Sequence, residues 1–115
     1  MPSIFTKIIN REIPSTIEYE DDEFIVIRDI HPHAPVHVLV IPKKEYTTLE
    51  EVDKADEHFH SKILLIARKV AKQLGISENY KLVMNVGEKM QIVPHIHLHL
   101  MGGWDQSAME KERNG

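Results

Sequence analysis

His95, His97 and His99 alternate with Ile96, Leu98 and Leu100 near one end of this 115-residue chain. Alternation is the period of a strand, so the three imidazoles are expected on one sheet face and the aliphatic side chains on the other. Alternate strand positions lie about 6.5–7 Å apart, close enough to share one metal ion or one phosphate. Such a row can ligate a metal, transfer protons or attack an electrophile. Neutral imidazole is a nucleophile near pH 7, serine needs a separate base, and the chain has no cysteine. The choice among these chemistries depends on what else reaches the same face.

The elements that must position the histidines follow from periodicity and breakers. Ser3 is expected to cap a short helix running to about Asn10, with Ile4, Phe5, Ile8 and Ile9 as its apolar stripe. Ile17 to Glu20 and Phe24 to Arg28 read as a hairpin turning at Asp21 and Asp22. Pro32 and Pro35 mark a loop, and His37 to Ile41 reads as a third strand closed by Pro42. Thr48-Leu49-Glu50-Glu51 fits a capping box. A long helix is expected from about Ala55 to Leu74, with Gly75 as its C-terminal cap. Lys81 to Val86 and Pro94 to Met101 complete the strands. The order predicts an α+β fold: a five-stranded antiparallel sheet with one long and one short helix, the helices over one face. Residues 1–103 form the single domain and residues 104–115 a polar tail. A sheet this small with apolar edges is expected to pair with a second copy into a continuous sheet, giving a homodimer.

Composition narrows the partners. A net charge of −4 with no basic block argues against bulk nucleic acid, which needs many cations on one face. No stretch is long and apolar enough for a membrane span, and the first residues lack the apolar run of a signal peptide, so a cytoplasmic location is expected. Eight histidines are many for this length. His31, His33, His58 and His60 lack the support of a motif and read as loop or solvated helix residues.

The segment from Gln91 to Met101 resembles the signature of the histidine-triad (HIT) family, in which three histidines alternate with hydrophobic residues. The block from Asp29 to Lys43 is similar to the one in which that family carries a fourth active-site histidine, here His37. Phe5-Thr6-Lys7-Ile8-Ile9, Ile13-Pro14 and the closing Gly102-Gly103 fit as well. The resemblance runs from about Ile4 to Gly103 and is strongest to the nucleoside phosphoramidase branch, the histidine-triad nucleotide-binding proteins. It implies a dimer that binds purine nucleoside monophosphates and hydrolyses the bond from the α-phosphate to an amine or other leaving group. His97 would be the nucleophile, His95 would fix its orientation and tautomer, His99 would contact the phosphate and His37 would complete the cluster. Asp29 would accept from the ribose hydroxyls, and Ile4, Phe5, Ile8, Ile27 and Ile30 would line the base slot. Asn85 and Gln91 would be further nucleotide contacts. No cofactor and no metal is implied.

Just before the triad the family often has Gly-Gln-Ser/Thr-Val, whereas this chain has Met90, Gln91, Ile92 and Val93. Ile92 cannot donate the hydrogen bond of a hydroxyl residue, which bears on the leaving group and the rate more than on nucleotide binding. Two other readings stay open. One is a nucleotide-binding module with little turnover. The other is a metal site using His37 with His95, His97 or His99, which lacks an obvious supporting carboxylate near either block.

Overall fold

The computed structural model describes residues 2–104, so the expected tail lies outside the described residues apart from Trp104. The elements are α1 (Ile4–Ile9), β1 (Ile17–Glu20), β2 (Phe24–Arg28), β3 (Val36–Pro42), α2 (His58–Gln73), β4 (Tyr80–Val83) and β5 (Leu98–Gly102). Two short 3₁₀ turns, Leu49–Glu51 and Lys54–Asp56, precede α2. The strands form one sheet in the order β1-β2-β3-β5-β4, and every neighbouring pair is antiparallel. The expected α+β fold and five-stranded sheet are present.

The two central strands sort their side chains by parity. Val38 and Val40 of β3 join Leu98 and Leu100 of β5 in a core beneath α2, where Phe59, Ile63, Ile66 and Val70 pack. Ile96, from the segment leading into β5, fills the same core. On the opposite face Ile25, Ile27, Leu39 and Ile41 pack against Phe5 and Ile8 of α1. The helices therefore cover both faces, contrary to the expectation of a single covered face. The reason is visible in β2, whose Phe24, Ile25, Val26 and Ile27 are all buried and need cover on each side.

Three boundaries differ from the sequence reading. The last strand begins at Leu98, opposite Val40, rather than at Pro94, because the residues before it make their hydrogen bonds outside the ladder with β3. Upstream of that point the Ile96 amide donates to the Tyr46 carbonyl, and the His95 amide folds back on Val93. With β5 starting late, β4 stops at Val83, opposite His99, instead of reaching Val86. The long helix begins at His58, the 3₁₀ turn Lys54–Asp56 taking the place of its expected first turn. The expected capping box is not made. The Thr48 side chain makes no cap hydrogen bond, while the Glu51 carboxylate accepts from the Thr47 amide at 3.1 Å.

The helix ends are well formed. Gly75 takes φ +76° past the end of α2. The Ile76 amide then returns to Ala71 O at 2.9 Å and the Gly75 amide to Lys72 O at 3.1 Å, the paired bonds of a Schellman turn. Ser3 caps α1, its Oγ accepting from the Thr6 amide at 3.1 Å. That serine also has a second task in the site.

Candidate active site

Between α1 and its face of the sheet lies a cavity of about 640 Å³ lined by His37, His97 and His99 together with Phe5, Ile27 and Asp29. The β3–β5 register explains the grouping. His37 lies opposite Met101 and Leu39 opposite His99, so the imidazoles of the two strands open on the same side as Leu39 and Ile41. His95 is different. It is fully buried, with 0% exposure, and does not line the cavity.

The hydrogen bonds of these rings fix their protons, because a carbonyl oxygen can only accept. His95 Nε2 lies 2.8 Å from Pro42 O and so carries the proton, leaving Nδ1 to accept from the Ser3 hydroxyl at 2.6 Å. Ser3 is held by its cap and by its amide, which donates to Glu45 Oε1 at 2.6 Å. Burial pushes the His95 pKa down, so the ring stays neutral. The main-chain carbonyl of the same residue then accepts from His97 Nδ1 at 2.8 Å. His97 therefore carries its proton on Nδ1, and Nε2 keeps a free lone pair on a ring that lines the cavity. Phe5 packs edge-on against this ring, centroid to centroid 5.0 Å, and fixes its plane.

The second pair follows the same logic. His37 Nδ1 accepts the His33 amide at 2.9 Å, which puts the His37 proton on Nε2. That nitrogen donates to His99 Nδ1 at 2.9 Å, with Asp29 Oδ2 more distant at 3.4 Å. His99, accepting on Nδ1, presents its own proton on Nε2. Its ring centroid lies 5.1 Å from that of His97. Burial first, and then the neighbouring His97 and His37, push the His99 pKa down to about 4. Burial likewise lowers His37, against the opposing pull of Asp29. Burial thus keeps His37, His95 and His99 as neutral imidazoles, and the hydrogen bonds define one acceptor, His97 Nε2, and one donor, His99 Nε2–H.

Asp29 stands at the end of β2, its amide donating to His37 O at 3.0 Å. Its Oδ1 accepts from the His31 amide at 2.8 Å, leaving Oδ2 as the freer oxygen. Asp29, His37 and His99 place one ligand atom each within 4.8 Å of one another, so a carboxylate does stand beside the histidines, contrary to the sequence reading. The set does not fit a metal as it is held. To ligate through Nε2 as a neutral ring, His37 would need its proton on Nδ1, which already faces the His33 amide.

Ile4, Phe5, Ile8, Ile27, Ile30 and Asn85 all line the cavity, although Ile30 is largely exposed. Gln91 is not among the lining residues; its amide ties the loop together, Oε1 accepting from the Gly87 amide and Nε2 donating to Thr47 O and Val93 O. His31 and His33, read as loop residues without a role, do line the cavity. Their approach comes from the Asp29-to-Pro35 loop folding back over His37, which nothing in their spacing announces. His58 and His60 are exposed, as expected, and His58 pairs with Glu23 at 2.8 Å.

A family model described as the HIT domain matches residues 10–106. Adenylylsulfatase HINT1 of Arabidopsis thaliana is 45% identical over 105 residues, covering 89% of this chain and 71% of that protein. The crystal structure of a HIT family hydrolase from Legionella pneumophila is 44% identical, with a TM-score of 0.85, and covers 90% of this chain and 95% of its own. A histidine triad nucleotide-binding protein from Candida albicans is 32% identical, with a TM-score of 0.78, covering 98% of this chain and 93% of its own.

Neutral burial of the cluster has a consequence for stability. Because His37, His95 and His99 titrate below the ordinary histidine value of 6.5, the unfolded chain binds more protons than the folded one as pH falls. The stability from this source is complete above about pH 6.5 and, for His99, is lost by about pH 4. Urea unfolding at pH 7 and pH 5 should show a lower midpoint at pH 5. A His99→Gln protein, lacking that ionisation, should show a shallower decline, and an identical decline would contradict the assignment.

Proposed function

This chain belongs to the HIT family, and on that premise we propose that it hydrolyses the bond between a nucleoside 5′-α-phosphate and an amine or other leaving group through a nucleotidyl-His97 intermediate. The observation that carries the reading is the 2.8 Å bond from His97 Nδ1 to the His95 carbonyl, which leaves Nε2 as a nucleophile without any proton transfer. His97 Nε2 attacks phosphorus, the P–N bond to the leaving amine breaks, and the amine departs with a proton taken from solvent. Water then attacks the same phosphorus, the Nε2–P bond breaks, the water's proton passes to solvent in place of the one taken by the amine, and the nucleoside monophosphate leaves with neutral His97 restored. His99 Nε2–H is the donor for a phosphate oxygen in both steps.

Support for a nucleotide comes from the rest of the lining. Phe5, Ile8 and Ile27 offer an apolar slot to a purine face, with Ile4 and Ile30 at its rim. Asp29 Oδ2 is free to accept from a ribose hydroxyl, and Asn85 supplies an amide. The relatives' names point the same way, one being an adenylylsulfatase and another a nucleotide-binding protein. His95 is a positioning residue, acting through its carbonyl and through Ser3.

A homodimer also belongs to this reading. Strand β4 is an edge of the sheet, and Val83 on it and Leu64 and Leu65 on α2 are exposed. Pairing of that edge with a second copy would cover these side chains.

Two measurements test these claims. Adenosine 5′-phosphoramidate should be hydrolysed by the wild-type protein, and His97→Ala should lower kcat by at least about 10³-fold, since it removes the nucleophile. Turnover in that variant within ten-fold of wild type would overturn the role of His97. Light scattering over a concentration series should give twice the chain mass, and a constant monomer mass would overturn the dimer.

A further inference from the structure

We infer that Met90 and Ile92 select substrates whose leaving group is apolar and uncharged. This deepens the phosphoramidate reading above and rests on it. Both residues lie on the loop between β4 and β5 and line the same cavity as His97 and His99. Ile92 is 98% exposed and Met90 63% exposed, so the cavity mouth presents two large apolar side chains to water.

That display is built into the loop. The intervening Gln91 turns inward, and its amide spans Gly87, Thr47 and Val93 at 2.8, 2.9 and 3.2 Å. The amides of Met90 and Gln91 both donate to Gly87 O, at 3.0 and 2.9 Å. Gly87 takes φ +103°, a conformation that favours glycine, to close this turn. With Gln91 pinned, its two neighbours are held outward. Isolated exposed aliphatic residues need no explanation, but a held pair at the entrance to a nucleophile does.

Charge is distributed along the cavity to match. Among the described residues its charged lining consists of Arg28 and Asp29, both at the end of β2 beside His37. The antiparallel β3–β5 register sets that end next to Met101, whereas the loop lies at the opposite end, beyond His95 and His97. Glu88 and Lys89, consecutive on the loop, are exposed, of opposite charge and outside the lining. A cationic leaving group therefore finds no carboxylate at Met90 and Ile92, and must shed water against aliphatic surface. An apolar one covers both side chains and is favoured by the area removed from water.

The test compares two adenosine 5′-phosphoramidates of nearly equal shape, one made with n-butylamine and one with 1,3-diaminopropane. The distal ammonium makes diaminopropane the better leaving group in solution, so a preference for butylamine cannot come from bond strength. The wild-type protein should favour the butylamine substrate by at least about ten-fold in kcat/KM, the effect of covering several tens of Å² of apolar surface. Ile92→Asp should cut that ratio at least ten-fold, and Met90→Gly should reduce it in the same direction. The ratio is taken within each protein, so a partial loss of folded material cancels. A wild-type ratio near one, or a ratio unmoved by Ile92→Asp, overturns the inference while hydrolysis of the unsubstituted phosphoramidate leaves the site's reading intact. Failure to hydrolyse any of the three substrates overturns that reading, and the inference with it.

Discussion

The site depends on one buried residue whose ring and main chain act in different directions. The His95 ring joins the β3 terminus, through Pro42 O, to the cap of α1, through the Ser3 hydroxyl. Its carbonyl then accepts a hydrogen bond from Nδ1–H of His97. Helix packing, strand termination and the protonation of His97 are therefore coupled through one side chain. Removing either partner would leave a buried polar atom unsatisfied, which costs about 1–3 kcal/mol. No buried side-chain polar atom among the described residues lacks a partner, so the arrangement is complete as it stands.

The same economy governs the electrostatics. Burying charged imidazoles side by side would be costly, so the fold keeps them neutral and lets each hydrogen bond decide the next proton position. The chain runs from the His33 amide through His37 to His99 without a charge on any ring. The His99 Nε2–H donor then stands beside the His97 Nε2 lone pair, and among the described residues the charged side chains lining the cavity are Arg28 and Asp29. The amide that orients His37 is also what makes the Asp29–His37–His99 trio a poor metal holder.

Much of this was legible in the sequence, and the limits have identifiable causes. Alternation assigned Ile96, Leu98 and Leu100 to the core beneath α2, and placed His97 and His99 on the other face. It could not separate His95 from the cavity, because that separation is made by Ser3, 92 positions away, and by the end of β3. Ser3 was readable as a helix cap, but its hydroxyl's second bond was not. Gln91 is implied as a ligand contact by the family resemblance alone, and the bond its amide makes to the Gly87 turn was not readable. The late start of β5 likewise depends on a distant partner, the Tyr46 carbonyl that takes the Ile96 amide out of the ladder. Local period fixes which way a side chain faces, and distant partners fix what it meets.

The assignment of His97 as the Nδ1–H tautomer is the central claim, and it can be read directly. Long-range ¹H–¹⁵N correlation spectra of protein labelled with ¹⁵N-histidine, recorded at pH 7 without ligand, distinguish a pyrrole-type from a pyridine-type ring nitrogen. His97 should show a protonated Nδ1 and a pyridine-type Nε2, while His37, His95 and His99 should show the reverse. A His97 ring protonated on Nε2 would contradict the account, because the nucleophilic lone pair would then point at the His95 carbonyl instead of the cavity.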